Sequence, residues 1–307
     1  MWAYIVKRLI LTIPIILGVV LITFLLFNVV ARDPARAYAG KQKSEAQLQA
    51  IRHQMGLDKP KWKQFVDVLT FQFPKSMRYQ ESVWSLFGRK APVSLAIQLP
   101  VFAIELGLQL AIAIFVASRR GRPSDFLTTF LAVLLMSLPA LSIYLGAQWL
   151  FGGKLQWFPV AGWDRGFFYA IHFAALPILV SIIGGLGGGI RFYRTVALEE
   201  INSDYVRTAR AKGVSQSDVL FIHVFRNLLI PVVTNTVIAL PFLVTGALLL
   251  ERLFQIPGMG GLLVDAIHAQ DSPVVMATIY LTSIAYTVML VVTDICYAVV
   301  DPRVALK

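Results

Sequence analysis

Six long apolar runs constrain this chain more than any other feature. They occupy roughly 9–31, 99–117, 126–151, 167–190, 228–250 and 274–300. At about 1.5 Å of rise per residue, a helix over each run reaches across a hydrocarbon core of about 30 Å. The runs are continuous rather than alternating, so helices are expected and barrel strands are not. Of 307 residues, 57% are hydrophobic and only 15% charged. That is more apolar surface than a soluble core of this size can bury. A compact soluble enzyme and a disordered chain are therefore both excluded. The expected fold class is an all-α integral membrane protein with six transmembrane helices.

The first run has the edges of a signal peptide, with Lys7-Arg8 before it and Val29-Val30-Ala31 at its end. Its apolar stretch is too long for an ordinary signal sequence, which predicts an uncleaved first span. The second run is the least regular, because it carries Pro100, Glu105 and Gln109. The single cysteine, Cys296, lies in an apolar run, so neither a disulfide framework nor a cysteine metal site is expected.

Orientation follows from Lys and Arg in the short connections. One side holds Lys7, Arg8, Arg119, Arg120, Arg122, Arg303, Lys307 and the 191–227 loop with Arg191, Arg194, Arg207, Arg210, Lys212 and Arg226. The other side's short loops hold only Lys154, Arg165 and Arg252. Both termini are thus expected in the cytoplasm. The 32–92 loop would then lie outside, and long loops obey the rule poorly. The organisation reads as 1–31, N-terminus and first span; 32–92, an extracytoplasmic loop; and 93–307, a five-helix core with a distinctive loop at 198–227.

The outer loop is more than a linker. Ser44 can cap a helix on which Leu48, Ile51 and Met55 share a face, and Gly56 suits its end. After Asp58-Lys59-Pro60, Trp62, Phe65, Val66 and Leu69 form a second apolar stripe. A small helical cap is expected, with His53 on its surface. The loop's twelve Lys and Arg against Asp33, Glu45, Asp58, Asp67 and Glu81 supply most of the chain's net charge of +11. Such a cap suits an acidic protein surface or anionic lipid.

The 198–227 loop reads as helix, stop, helix. Ser203 or Asp204 can cap a short helix, Gly213 can end it, and Ser215-x-x-Asp218 is a capping box for the next. A short capped helix between two spans can act as a rigid lever for a soluble partner. It can equally be an ordinary basic loop that sets topology.

The segment Asp204-Tyr205-Val206-Arg207-Thr208-Ala209-Arg210-Ala211-Lys212-Gly213, followed by Arg226-Asn227-Leu228-Leu229-Ile230-Pro231, resembles the EAA-type loop of ABC-transporter permeases. More narrowly, the chain resembles the first permease subunit of the dipeptide/oligopeptide/nickel family. Further matches run in order: Val6-Lys7-Arg8-Leu9 through Asp33-Pro34, Met55-Gly56-Leu57-Asp58-Lys59-Pro60, Ser137-Leu138-Pro139, Leu155-Gln156-Trp157-Phe158-Pro159 and His172…Leu176-Pro177. Glu251-Arg252-Leu253-Phe254…Pro257-Gly258-Met259-Gly260 and Asp301-Pro302-Arg303 complete the series. The chain departs from the family pattern before the second span, at Pro74-Lys75-Ser76-Met77-Arg78-Tyr79, and at Gly261, where relatives often carry Arg.

The resemblance implies the type I fold of ABC importers in a bacterial inner membrane. It implies four kinds of partner: a second homologous permease subunit, two ATP-binding-cassette ATPase subunits, an extracytoplasmic substrate-binding protein and membrane lipid, with no nucleic acid. It places the ATPase contact at Tyr205, Val206, Arg207, Thr208, Ala209, Arg210, Ala211, Lys212, Gly213, Val214 and Ser215. No GxxxxGK[ST] occurs in the chain, so ATP and Mg are expected on the partner ATPases and no cofactor on this chain. No catalytic residue and no metal site are expected, since His172 and His223 stand apart without ligand spacing. Di- and oligopeptides are the leading substrates, with nickel, opines or glutathione-like peptides as alternatives.

Other features have plainer readings. Glu105 and Asp294 sit in spans, where a path carboxylate and a packing hydrogen bond are the alternatives, the second being favoured. Two GxxxG spacings in Gly184-Gly185-Leu186-Gly187-Gly188-Gly189 fit close helix packing better than phosphate binding. Pro139, Pro177 and Pro241 are candidate kinks. Ser137, Gln148, Thr234, Asn235 and Thr245 are candidates for the translocation path. A secondary transporter would call for internal repeats and ion-coupling charges. An intramembrane enzyme would call for a nucleophile–base or paired-carboxylate constellation. Neither pattern is evident.

Overall fold

The computed structural model describes residues 2–30, 33–39, 44–163 and 167–300. Ala31, Arg165, Asp301-Pro302-Arg303 and Lys307 lie outside them, as do the side chains of Lys7, Arg8 and His223. Regular structure among the described residues is helical throughout. Among the described residues, five stretches are long and apolar enough to cross a membrane: Ile10–Val29, Val83–Ala117, Ile171–Ile201, Phe225–Leu253 and Ser272–Cys296. The sixth expected span is a pair of helices, Pro123–Ser137 and Ala140–Lys154, bent by 93°.

The bend falls at Pro139, one of the three candidate kinks, so the 126–151 run is a broken span. Proline's ring disfavours helical geometry at the residue before it. Leu138 accordingly adopts an extended φ,ψ of −85°, 127°, and Pro139 caps the second helix instead of continuing the first. Pro177 has no such effect, since its helix runs on from Phe167 to Ile201.

The chain divides into two compact units. The first comprises Met1–Leu95, Val237–Arg252 and Pro257–Lys307. Here α1 (Trp2–Leu25) packs along α14 (Ser272–Val300). The short helices α2 (Pro34–Ala39), α3 (Glu45–Gln54) and α4 (Lys61–Leu69) build the expected cap. Ser44 caps α3 in a complete capping box with Gln47, and Gly56 closes it at φ +67°. Leu48, Ile51 and Met55 are buried with Ala35 and Met77. Beneath them, Val68 and Phe65 of α4 join Val20 and Phe24 of α1 and Met276 and Tyr280 of α14. The second stripe is only half right: Trp62 is 69% exposed and Val66 also faces outward. His53 is a surface residue, hydrogen-bonded to Asp58 at 2.6 Å.

The second unit comprises Ala96–Thr236 and Leu253–Ile256. Its centre is α8 (Phe167–Ile201), packed against α6 (Pro123–Ser137) and α7 (Ala140–Ala147). Gly187 makes the α6 contact possible, because a Cβ there would lie 2.6 Å from the Ala132 carbonyl oxygen. Large apolar side chains such as Phe126, Phe130 and Leu131 point outward from α6. Water would penalise that exposure, whereas lipid tails accept it.

Two helices outrun their apolar runs. α5 (Val83–Ala117) and α8 have 35 residues each, about 52 Å of rise, well beyond a hydrocarbon core of about 30 Å. α5 begins at Val83, not near 99, and α8 continues past 190 into the segment read as a loop.

Candidate functional site

The segment after α8 is built almost entirely from local hydrogen bonds. α9 (Asp204–Ala211) starts after Ser203, whose backbone is extended as an N-cap should be. Its hydroxyl, however, turns back to donate to Glu200 O at 2.6 Å, so neither expected side-chain cap forms. At the other end, Gly213 N donates to Arg210 O and Val214 N to Ala209 O, with Gly213 at φ +79°. These two bonds are the Schellman closure, which needs a residue tolerant of left-handed geometry. Ser215 then caps α10 (Gln216–Asp218) by accepting from Asp218 N at 3.1 Å. The Asp218 carboxylate accepts from the Ser215 hydroxyl at 2.7 Å rather than reaching back to a backbone amide. The chain continues as a wider π-helical stretch, Val219–Val224, into α11 (Phe225–Thr245).

α9 has one seated face and one free face. Val206 and Ala209 are buried among Tyr193, Ala197, Val219, Val224 and Leu228. Tyr205, Arg207, Thr208, Arg210, Ala211 and Lys212 are exposed. Glu200 ties the seat together: Tyr205 Oη donates to its carboxylate at 2.5 Å and Asn227 Nδ2 at 3.3 Å. Burial, and then that bond to Glu200, push the Tyr205 phenol above its ordinary value. The role of Glu200 had no sequence signal, since Asn227 is 27 positions away.

A half-buried ion pair braces the neighbouring turn. Arg194 of α8 donates from Nε and Nη2 to the two oxygens of Asp125, at 2.8 and 3.0 Å. Asp125 also accepts from Gly121 N at 3.0 Å. Arg194 counted as a topology-setting cation in the sequence, yet its charge is matched within the fold.

The first unit contains a second constellation, around Glu251 of α12 (Leu248–Leu253), a residue only 1% exposed. Its Oε1 accepts from Ser94 Oγ at 2.6 Å and its Oε2 from Gly261 N at 3.0 Å. Ser94 in turn accepts from Met259 N at 2.8 Å. Gly246, Gly258 and Gly260 enclose the carboxyl group so closely that a Cβ on any of them would lie 2.1–3.0 Å from a Glu251 oxygen. The Glu251…Gly258-Met259-Gly260 motif is thus a carboxylate in a glycine cage. It fastens the first turn of α13 (Met259–His268) to α5 and α12. Asp271 fastens the far end, accepting from Ser76 Oγ at 2.5 Å and from Met77 N and Arg78 N at 3.2 Å.

The candidate path residues make ordinary bonds. Ser137, Thr234 and Thr245 donate to carbonyls of their own helices. Gln148 donates to Val160 O and Leu253 O, and Asn235 to Tyr193 Oη. Ser137, Gln148, Thr234 and Asn235 belong to the second unit, Thr245 to the first. Glu105 accepts from Gln109 Nε2 at 2.6 Å, and Asp294 is half-buried on α14. Among the described residues no group of three or more His, Cys, Asp or Glu is placed to hold a metal.

Comparison with known proteins follows the same outline. A family model described as binding-protein-dependent transport system inner membrane component matches residues 109–306. The N-terminal model for the membrane component of such systems matches residues 1–82. A putative peptide transport system permease protein of Brucella suis is 33% identical, with 99% of each chain covered. The glutathione transport system permease protein of Salmonella paratyphi A is 34% identical and the dipeptide transport system permease protein of Lactococcus lactis 35%, again over 99% of each chain. The chain therefore belongs to the family of inner-membrane components of binding-protein-dependent transport systems, and is a multi-pass ABC-importer permease.

Proposed function

We propose that this chain forms one half of the transmembrane path of a peptide importer, beside a second homologous permease subunit. Two ATPase subunits dock on α9 and its flanks, Tyr205 to Ser215, from the cytoplasm. An extracytoplasmic binding protein delivers a di- or oligopeptide to the opposite face. Both termini then lie in the cytoplasm, in keeping with the Lys and Arg of the short loops. The relatives' substrates, peptides among them, favour a peptide over nickel or an opine.

The observation that carries this reading is the seating of α9. Val206 and Ala209 anchor one face, while Arg207, Arg210 and Lys212 project from the other. Closure of an ATPase dimer on bound ATP would push this short helix as a unit. The push would pass through Tyr193, Ala197 and Leu228 to α8 and α11, and switch the permease pair between inward- and outward-open states. ATP and Mg belong to the partner subunits in this scheme.

Replacing Gly213 by Pro or Arg210 by Glu should cut both co-purification of the ATPases and ATP-driven uptake. Unchanged values for both would remove α9 from the ATPase contact. The basic cap, in the same scheme, meets an acidic face of the binding protein, and added salt should weaken that docking.

A further inference from the structure

The second span carries a carboxylate that no cation among the described residues pairs with. Glu105 Oε1 accepts from Gln109 Nε2, and Gln109 gives its other amide hydrogen to Gly185 O at 3.1 Å. Among the described residues no Lys, Arg or His pairs with Glu105, and its Oε2 takes no hydrogen bond. The side chain is half-buried rather than sealed.

The room for it comes from α8. Glu105 and Gln109 stand four residues apart on one face of α5, and Gly185 and Gly189 stand four apart on α8. A Cβ on Gly185 would lie 2.1 Å from Glu105 Oε1, and one on Gly189 would lie 1.9 Å from Gln109 Cδ. Two absent side chains on one helix thus make space for two polar ones on the other.

Helix packing alone does not call for a carboxylate here. Gln109 already secures the Gly185 carbonyl, and an amide oxygen at position 105 would accept its second hydrogen equally well. A negative charge in a span is costly and marks a site for a cation or proton.

We infer that Glu105 is a way-station for the ammonium group of the transported solute, the free amino terminus of a peptide. Oε2 receives the ammonium, while Gln109 holds Oε1 and keeps the carboxylate from turning away. A single charge-assisted contact gives selectivity yet releases readily, as a translocation path requires. The inference rests on the peptide-import reading above.

The test uses the whole transporter with its binding protein in proteoliposomes, carrying Glu105→Gln or Glu105→Asp, with dialanine and N-acetyl-dialanine as probes. Glu105→Gln should lower dialanine uptake about tenfold or more, and Glu105→Asp should retain most of it. A packing role predicts the reverse order, because Gln preserves the hydrogen bond and Asp shortens the reach. N-acetyl-dialanine, lacking the cation, should be carried poorly by the native protein and no worse by Glu105→Gln. Equal uptake of dialanine by native and Glu105→Gln transporters, or loss of assembly in Glu105→Gln, would overturn the site and leave peptide import standing. Failure of the native transporter to import dialanine or any longer peptide would instead overturn the peptide reading, and the site with it.

Discussion

Two span carboxylates in this molecule, one buried and one half-buried, are held in opposite ways. Glu251 is enclosed by three glycines, accepts from a serine hydroxyl and a backbone amide, and has almost no contact with the outside. Glu105 has one glycine beneath it, one amide donor and a free oxygen. A carboxylate with its acceptors filled by fixed donors acts as a structural fastener, because any motion breaks several bonds at once. One with vacant acceptor capacity is stabilised only when something else arrives. The difference separates a joint from a site, although both residues are acids in spans.

The sharpest way to break that comparison is Glu251→Ala. It strands the Ser94 hydroxyl and the Gly261 amide and leaves a void, and should cost about 3 kcal/mol or more. The change would be read as a large fall in the thermal unfolding midpoint of purified protein. A cost below about 1 kcal/mol would mean that the cage is not holding α13.

The next test compares two glycines with the same apparent clash. A Cβ on either Gly246 or Gly185 would lie 2.1 Å from a glutamate Oε1. Gly246 is also left-handed at φ +74°, and Glu251 cannot retreat. Gly246→Ala should therefore cost about 2–3 kcal/mol. In Gly185→Ala the half-buried carboxylate of Glu105 can swing aside by giving up its single bond to Gln109, and the gain in helix propensity offsets part of that loss, so the cost should stay under about 1 kcal/mol. Equal costs in unfolding experiments would remove the distinction between caged and open carboxylates.

A third carboxylate, outside the spans, gives the smallest effect. Partial burial of Asp33 works to raise its titration point. Hydrogen bonds from Arg52 and the Ala35 amide, with the Arg52 charge, outweigh burial and hold it below the usual carboxylate range. A lowered folded-state value stabilises at neutral pH, and the contribution fades as pH falls through that value. Hydrogen exchange in α2 and α3, taken relative to the intrinsic amide rate at each pH, should thus quicken on acidification. Asp33→Asn should be faster at neutral pH and flatter with acid. An identical acid response in both proteins would assign the loosening to other groups.

What was legible in the sequence was local. Ser44 and Gly56 close α3 through bonds spanning a few residues, and Gly213 and Ser215 end and start helices in the same way. Such signals work because the partner is a neighbour along the chain, whatever the fold. Where a side chain had a choice, the reading weakened. Ser203 took the Glu200 carbonyl instead of capping α9. Pro139 broke its span while Pro177 did not, and no spacing around the two prolines distinguishes them.

By itself the sequence determined that the chain is a helical membrane protein, with a short basic helix ended by a glycine between two spans and a cap of short helices after the first. Hydropathy and capping are properties of runs and neighbours, so they survive without coordinates. Only the tertiary structure decided what the polar residues inside the spans are for. Ser94 and Glu251 are 157 positions apart, Gln109 and Gly185 are 76, and Asp125 and Arg194 are 69. Whether an acid is caged, paired or left open depends on which distant backbone lacks a Cβ beside it, and that becomes physical only when the helices meet.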